Sequence, residues 1–264
     1  MTVEPKTAQQ AETMREDWNE RARQDAFLYI ASWRKDWDEA SFFASGEEDY
    51  LSLVAPVLQK LSFDPSAKSM AELGCGAGRM TRAFAQRFRS VSAVDISEEM
   101  QSRAKAFLHE FKNIGWIPTD GKSLVNLESA SLDFVFSYLV LQHFPSQELV
   151  ASTIQEMFRV LRPGGTFLFQ FNGSHQPTMN WKGRTISTFL DNLAVLGLKR
   201  ISQSLAKLAH VDPQMIGKTW RGVALTSSDV DSMVRSAGAH SAAFLGENTP
   251  LAWCYGTKRR QEPA

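Results

Sequence analysis

The hydrophobic positions of the chain follow two different spacings. Several large apolar side chains in residues 11–45 lie three or four positions apart, which is typical of amphipathic helices; they include Trp18, Phe27, Ile30, Trp33, Trp37, Phe42 and Phe43. From about residue 50, short apolar runs alternate with segments of helical spacing. The pattern predicts strands at 69–73, 90–95, 114–119, 132–137, 166–171, 241–245 and 251–257. It predicts helices at 50–61, 80–88, 98–111, 146–161, 186–209 and 227–235.

Strands that alternate with helices indicate an α/β fold, in which crossover units surround a parallel sheet. We therefore predict a doubly wound, mostly parallel sheet of seven strands with helices on both faces. The last two predicted strands flank a turn-rich stretch at 246–250, so we expect them to pair as a hairpin. Before strand 166–171, the stretch Leu161-Arg162-Pro163-Gly164-Gly165 is expected to end the helix and to allow a tight reversal.

The alternation of strands and helices stops at about residue 173 and resumes near residue 226, which predicts an inserted segment. A chain of 264 residues with 43% hydrophobic content supports one sizeable core. One domain with additions is therefore favoured over two independent domains. We expect a helical amino-terminal cap at 1–48 and a main domain at 49–264, in which 173–226 forms a substrate lid.

Charge and cysteine content narrow the possible partners and location. The 29 basic residues balance 29 acidic ones, so no overall field favours nucleic acid or an anionic membrane as a partner. Only two cysteines occur, which suits a reducing cytoplasm. The amino-terminal residues lack the apolar core of a signal peptide, and no apolar run is long enough to span a bilayer. We expect a cytoplasmic protein, and the sequence does not indicate its oligomeric state.

A glycine-rich stretch, Glu72-Leu73-Gly74-Cys75-Gly76-Ala77-Gly78, follows the first predicted strand. Ligands of open parallel sheets bind at such carboxyl ends, where the strand order reverses. The dinucleotide fingerprint would need its third glycine at position 79, which is Arg79. A phosphate-binding P-loop would need Gly-Lys-Ser/Thr, but Gly78 is followed by Arg79 and Met80. The stretch therefore argues against both kinds of phosphate ligand, and against an oxidoreductase that uses a nicotinamide dinucleotide.

The same stretch resembles the acidic-x-G-x-G-x-G loop of class I S-adenosylmethionine-dependent methyltransferases. The resemblance covers roughly residues 69–172 and extends to the last two predicted strands. It implies a Rossmann-like sheet with an antiparallel carboxy-terminal strand. It also implies S-adenosyl-L-methionine as cofactor, S-adenosyl-L-homocysteine as product, and in-line displacement of the methyl group.

The resemblance assigns cofactor contacts to residues at the predicted strand ends. Glu72 is expected to serve the ammonium group of the cofactor, and the loop of Gly74, Cys75, Gly76 and Gly78 its methionine portion. Asp95 would accept both ribose hydroxyls. The remaining cofactor contacts are expected at Ile96, Asp120, Gly121 and Ser137.

Each of these residue types also has an ordinary structural explanation. The glycines could serve only a turn, and Asp95 could cap a helix. Asp120-Gly121 is common turn chemistry, and Glu72 could form a loop ion pair. The joint presence of these residues at successive strand ends favours the cofactor site.

The stretch Tyr138-Leu139-Val140-Leu141-Gln142-His143-Phe144-Pro145 follows the fourth predicted strand, on the side where this family brings the acceptor. His143 is the best placed general base for a protonated nucleophile. It could instead fix the loop by hydrogen bonding. Tyr138 is predicted to share the catalytic wall, together with Gln142, and burial or loop packing is the alternative for each of them. The other histidines show no metal-ligand spacing, so no metal is expected.

Aromatic residues in the amino-terminal segment and in 173–226 are expected to roof the pocket, and they favour an aromatic or lipid-like small-molecule acceptor. Packing is the alternative for each of them. Arg184 and Arg221 could bind an acidic group of the acceptor. The candidate roof residues are Trp18, Trp33, Trp37, Phe42, Phe43, Trp181 and Trp220.

The leading hypothesis is methyl transfer to an O, N or C atom of a small molecule. The alternatives are a non-catalytic sensor or scaffold that binds the cofactor, and a protein methyltransferase. Nucleic acid as acceptor is disfavoured because Ser137-Tyr138-Leu139-Val140 replaces an Asn-Pro-Pro-Tyr type motif.

Overall fold

The computed structural model describes residues 3–174, 201, 202, 204, 205 and 222–260. Its centre is a sheet whose seven strands were all predicted. The strands are β1 (Ser69–Leu73), β2 (Ser90–Asp95), β3 (Ile114–Pro118), β4 (Leu132–Ser137), β5 (Leu161–Phe171), β6 (Ala239–Leu245) and β7 (Ala252–Lys258).

The strand order is β3-β2-β1-β4-β5-β7-β6. Strands β1 to β5 pair in parallel, whereas β7 runs antiparallel to both β5 and β6. The predicted fold class, including the antiparallel carboxy-terminal strand and the terminal hairpin, is confirmed. Because β1 lies between β2 and β4, the strand order reverses at β1, and a crevice opens there at the carboxyl ends.

The helices begin and end close to the predicted positions. They are α1 (Val3–Ile30), α2 (Glu39–Asp49), a π-helical turn (Tyr50–Val54), α3 (Ala55–Lys60), α4 (Thr81–Ala85), α5 (Glu98–Phe107), a 3-10 turn (Leu141–His143), α6 (Gln147–Val160) and α7 (Ser227–Ser236). Side chains fix several starts: the hydroxyl of Ser97 accepts from the N–H of Met100, and that of Ser146 from Leu149. The predicted helix at 186–209 lies almost entirely outside the described residues.

Helix α1 is two helical segments joined at Asp25, whose backbone is not helical (φ −165°, ψ 95°). The Asp25 carboxylate accepts from the N–H of Leu28 (3.1 Å) and so begins the second segment. This bend lets the carboxy-terminal part of α1 continue towards the edge of the crevice.

The connection between α6 and β5 differs from the prediction. Helix α6 ends at Val160 and β5 begins at once at Leu161, which is buried and aligns with Leu132 of β4. Register resumes at Phe134 opposite Thr166, so residues 162–165 form a bulge within the strand. Pro163 has no N–H to contribute to a ladder, and a bulge tolerates that. The predicted helix end and a turn at Gly164 (φ +79°) are present, but the turn lies in a bulge of β5, which begins at Leu161 instead of 166.

Helices cover both faces of the sheet, as predicted, because alternate side chains of each strand point to opposite faces. Phe167 and Phe169 pack on one face with Phe158 of α6, while Leu168 packs on the other with Phe84 of α4. A third cluster joins α1 and α2 to α5, and it includes Phe42 and Phe43. The sheet thus forms the rigid base of the crevice.

Candidate active site

A cavity of about 890 Å³ lies at the carboxyl ends of β1, β2 and β4. This volume is within the usual range of small-molecule sites. Nine of the twelve residues predicted for the site line it; the exceptions are Gly78, Asp120 and Ser137. The cavity therefore brings together most of what the sequence places at separate strand ends.

The glycine-rich loop is anchored to β2 through its main chain. The N–H groups of Gly74 and Cys75 both donate to the carbonyl of Val94 (2.8 and 3.0 Å). Gly74 has a φ of +74°, and a Cβ added to it would overlap Cγ2 of Val140. Glycine is thus needed here for a left-handed turn and for close approach of the loop after β4.

Asp95 ends β2, and both oxygens of its carboxylate are held by main-chain donors. Oδ2 accepts from the N–H of Gly76 (2.7 Å), and Oδ1 accepts from the N–H of Ser97 (2.8 Å). Burial raises the pKa of Asp95 to about 6, although these hydrogen bonds act in the opposite direction. Each oxygen has a further lone pair, so Asp95 can accept two more hydrogen bonds from the cavity.

Glu72 of β1 is buried in the floor of the cavity. Its Oε2 accepts from the hydroxyl of Thr81 (2.6 Å). Burial raises the pKa of Glu72 to about 8, while the bond from Thr81 and the charge of Arg79 lower it. The side chain is therefore mostly neutral at pH 7. A cation placed beside it would lower the pKa of Glu72 and favour the ionised carboxylate.

Ile96 and Gly121 face each other on the apolar side of the cavity. A Cβ on Gly121 would lie 2.5 Å from Cδ1 of Ile96, so the side chain of Ile96 packs directly on the main chain of Gly121. Together with Leu124, they form an apolar slot next to Asp95. A flat heterocycle is the type of group that such a slot can bind.

The structure leaves Asp120 outside the cavity wall and exposed. Its Oδ1 accepts from the N–H groups of Lys122 and Ser123 (2.9 and 2.8 Å), so it closes its own loop. In this structure Asp120 therefore closes a turn and does not contact the cavity. The other two exceptions support the wall from behind: Gly78 packs on Leu108, and the hydroxyl of Ser137 donates to the carbonyl of Leu73.

His143 lies buried on the 3-10 turn that follows β4 and lines the cavity. Its ring meets the edge of Trp18 from α1, with 5.3 Å between ring centroids. Its Nε2 is 3.2 Å from the amide nitrogen of Gln142. An imidazole, an indole and a carboxamide thus form one wall opposite the glycine-rich loop.

Comparisons with known proteins point to one family. The model of a family described as a methyltransferase domain matches residues 71–169, which include the glycine-rich loop, Asp95 and His143. A ubiquinone biosynthesis O-methyltransferase of Pseudomonas fluorescens is 27% identical over 173 residues, which cover 62% of this chain and 67% of the relative. The chain carries a methyltransferase domain, and it is an S-adenosylmethionine-dependent methyltransferase.

This methyltransferase is also similar to a plant sequence and to a solved structure with other names. Phosphoethanolamine N-methyltransferase 3 of Arabidopsis thaliana is 30% identical over 149 residues, which cover 53% of this chain and 30% of the relative. The solved magnesium protoporphyrin IX methyltransferase of Synechocystis PCC 6803, with bound S-adenosylhomocysteine, has a TM-score of 0.58 and 17% identity. That structural match covers 95% of this chain and 99% of the other, and it shows the shared fold.

The cavity wall of the methyltransferase includes residues that the sequence patterns did not single out. Arg79 is buried and ion-paired with Asp49 (2.7 Å). Its guanidinium lies 5.2 Å from the ring centroid of Trp33 and 5.9 Å from that of Tyr138. No local sequence pattern predicts the contacts of Arg79 with Asp49 and Tyr138, because the three residues are distant in sequence.

Tyr138 stacks on Trp253 of β7, with 5.0 Å between ring centroids. Burial raises the pKa of Tyr138 to about 12, and the nearby charge of Asp49 adds to this. The phenol therefore stays protonated at neutral pH, where it can donate a hydrogen bond but does not act as a base.

Only part of the expected aromatic roof covers the cavity. Trp18 and Trp33 line it, and so do Tyr29 and Ile30 of α1, whereas Trp37, Phe42 and Phe43 pack elsewhere. Trp181, Trp220, Arg184 and Arg221 lie outside the described residues. Packing is therefore the role of three of the five roof candidates whose positions are described.

Two further findings concern the described part of the methyltransferase only. No group of three or more His, Cys, Asp or Glu residues there could hold a metal ion. None of the helices described is both long and apolar enough to cross a bilayer.

Proposed function

We propose that this enzyme transfers the methyl group of S-adenosylmethionine to an O, N or C atom of a small molecule. The observation that carries the proposal is the buried carboxylate of Asp95. Main-chain donors hold it at the tip of β2, and it opens onto a cavity large enough for two ligands of moderate size. The names of similar proteins refer to ubiquinone biosynthesis, phosphoethanolamine and magnesium protoporphyrin IX, and each name concerns a small molecule.

The residues fit the proposed cofactor part by part. Asp95 has lone pairs left for the two ribose hydroxyls, and Ile96 with Gly121 provides the slot for adenine. The backbone of Gly74 to Gly76 borders the space for the methionine portion. Glu72, neutral when the cavity lacks a cation, can ionise beside an ammonium group.

When bound, S-adenosylmethionine supplies both the methyl group and its own leaving group. The chain then has to position the acceptor and exclude water, and positioning alone can contribute roughly 7 to 11 kcal/mol. We assign this task to Trp18, Trp33, Tyr138 and His143, with His143 as the base for an acceptor that must lose a proton. Tyr138 serves as a hydrogen-bond donor that orients the acceptor.

The amino-terminal segment lies next to both the proposed cofactor site and the proposed acceptor site. Trp18 contacts His143, and Ile30 fills the space that a side chain on Gly76 would occupy. We therefore propose residues 1–48 as a cap on a methyltransferase domain at 49–264, with 173–226 as the acceptor lid. An aromatic or other apolar acceptor suits the rings that line the cap side.

A turnover assay tests the proposal. The purified protein is incubated with S-adenosylmethionine and a panel of phenols, amines, carboxylic acids and hydroxylated quinones, and S-adenosylhomocysteine is measured by mass spectrometry. We expect acceptor-dependent product with at least one class. Tight cofactor binding without any turnover would favour the sensor alternative, and absence of binding would defeat the proposal.

A further inference from the structure

Gln170 lies near the carboxyl end of β5 and is fully buried, although it is polar. Its Oε1 accepts from the N–H of Leu139 (3.1 Å). Its Nε2 donates to the carbonyl of Pro250 (2.8 Å) and to Oε1 of Gln142 (3.1 Å). One buried carboxamide thus connects the loop after β4, the loop before β7 and a side chain of the cavity wall.

These partners fix the orientation of two amide groups. A main-chain N–H can only donate and a carbonyl can only accept, so Leu139 and Pro250 define which end of Gln170 is oxygen. Gln170 then donates to the oxygen of Gln142, which leaves the NH₂ group of Gln142 towards His143. The contact at 3.2 Å is therefore a hydrogen bond from Gln142 to Nε2 of His143.

A ring nitrogen that accepts a hydrogen bond carries no proton. Nε2 of His143 is thus the bare nitrogen, and the neutral imidazole has its proton on Nδ1. This assignment follows from the polarity of the hydrogen bonds, because the main-chain groups of Leu139 and Pro250 have fixed roles and determine each step towards His143. It makes Nε2 the nitrogen able to take up a proton.

The loop that Gln170 holds is itself strained. Leu139 has a φ of +58°, a left-handed conformation that a branched residue rarely adopts. Such strain persists only where surrounding contacts enforce it, and it concentrates at functional sites. The hydrogen bond from Leu139 to Gln170 is one of these contacts. On the other side, the N–H groups of Gly222 and Val223 donate to the carbonyls of Gln142 and Phe144 (3.0 and 2.9 Å).

We propose that Gln170 is a positioning residue which, through Gln142, sets the tautomer of His143 so that Nε2 is its proton-accepting nitrogen. The catalytic use of that nitrogen rests on the proposed function, whereas the tautomer itself does not. An acceptor hydroxyl that approaches Nε2 has to replace the N–H of Gln142. Gln142 therefore keeps the base hydrogen-bonded until an acceptor arrives.

Nuclear magnetic resonance of histidine labelled with ¹⁵N and ¹³C tests the tautomer without any acceptor. The chain has five histidines, and the signals of His143 are assigned with the variant His143→Asn. In the unmodified protein we expect Nε2 in the shift range of a bare nitrogen and Nδ1 in that of a protonated one. A protonated Nε2 in the neutral ring would overturn the proposal.

Two variants test the relay. Gln142→Glu places a carboxylate, which can only accept, beside Nε2, so the ring should change to the Nε2–H form or become an imidazolium. Gln170→Glu still accepts from Leu139 but donates to neither Pro250 nor Gln142, so His143 should change from one tautomer to a mixture. Gln142 is only half buried, so its variant should fold even if the one at Gln170 does not.

The matched control is Gln59→Glu, the same change at an exposed position of α3, which should leave the signals of His143 in place. An unchanged tautomer in Gln142→Glu, with the fold intact by circular dichroism, would contradict the relay. Titration calorimetry with S-adenosylhomocysteine on the same samples keeps the two proposals apart. If the unmodified protein does not bind S-adenosylhomocysteine, the proposed function is contradicted, but the tautomer result is unaffected.

Discussion

The two halves of the cavity are held together in different ways. At the tips of β1 and β2, main-chain groups fix the polar atoms: Gly76 and Ser97 donate to Asp95, and Gly74 donates to the carbonyl of Val94. After β4, side chains distant in sequence fix each other, as in the bond between Gln170 and Gln142. The hydrogen bonds named in the first half fall within residues 74–97, whereas the network of Gln170 in the second half joins residues between 139 and 250.

This difference has a functional meaning under the proposed function. Main-chain donors do not change with the side chains around them, so the cofactor half can stay constant. Side-chain networks change with each substitution, so the acceptor half can diverge. The two named sequence relatives, an O-methyltransferase of ubiquinone biosynthesis and a phosphoethanolamine N-methyltransferase, methylate different atoms, as such a division predicts.

The largest expected effect is at the glycine-rich loop. Gly74→Ala adds a Cβ at positive φ, which costs about 1–2 kcal/mol, and overlaps Val140, for which overpacking typically adds about 1–3 kcal/mol. Denaturant titration should therefore show a loss of roughly 2–5 kcal/mol in the free energy of unfolding.

Gly238→Ala is the matched control, because its φ is +105° but nothing lies within 4 Å of the added Cβ. It should show only the smaller loss from backbone strain. Adding Val140→Ala to Gly74→Ala should relieve the overlap but not the strain. Equal losses for the two glycines would mean that close approach of the β4 loop does not matter.

The next effect concerns Glu72, whose burial raises the pKa from 4.5 to about 8. The folded state holds a proton that the unfolded state releases, so this group's contribution to stability is present below pH 4.5 and is lost as the pH rises towards 8. At pH 7 the folded state therefore keeps Glu72 protonated at a free-energy cost relative to the unfolded state, in which the carboxyl group is ionised. Glu72→Gln removes this cost and should stabilise the cofactor-free protein by about 2–3 kcal/mol at pH 7.

Unfolding curves at pH 5, 6, 7 and 8 check the prediction for Glu72. The stability difference between Glu72→Gln and the unmodified protein should grow with pH. A difference that is the same at every pH would show that Glu72 is ionised in the folded state. The same variant should bind S-adenosylhomocysteine more weakly, since it cannot meet an ammonium group with a charge.

A smaller effect is expected in the pH dependence of cofactor binding. The pKa of Asp95 is raised to about 6, and ligand hydroxyls favour its ionised form. The affinity for S-adenosylhomocysteine should therefore fall by about tenfold between pH 6 and pH 5 at most, because one pKa unit corresponds to about 1.4 kcal/mol. Calorimetry in the Glu72→Gln background isolates this contribution, and Asp95→Asn should abolish it.

The smallest change in cofactor affinity is expected from a substitution in the acceptor half. Trp18→Leu removes the edge contact with His143, and aromatic pairs contribute about 0.5–1.5 kcal/mol. Turnover of any acceptor found should fall roughly twofold to tenfold, while the affinity for S-adenosylhomocysteine should change by less than about twofold. An equal loss in both measurements would remove the distinction between the two halves.

The sequence predicts the cofactor half better than the acceptor half for physical reasons. The bounds of β1, β2 and β4 agree with the predicted ones because most residues of these short, largely apolar segments are buried in the sheet. Asp120 could not be judged from sequence, because Asp before Gly closes a turn as readily as it meets a ligand. Arg79 and Gln170 gave no local signal, since their partners, such as Asp49 and Pro250, are far along the chain.

One measurement tests the central assignment most directly: calorimetric binding of S-adenosylhomocysteine to the unmodified protein, Asp95→Ala and Asp120→Ala. Both aspartates follow neighbouring strands, but only Asp95 lines the cavity. Hydrogen bonds to a charged group are worth about 1.5–3 kcal/mol each, so losing two should weaken binding by at least about a hundredfold in Asp95→Ala. Asp120→Ala should stay within about threefold of the unmodified protein, which corresponds to about 0.7 kcal/mol. Equal affinities for the two variants, with both folded, would contradict the account.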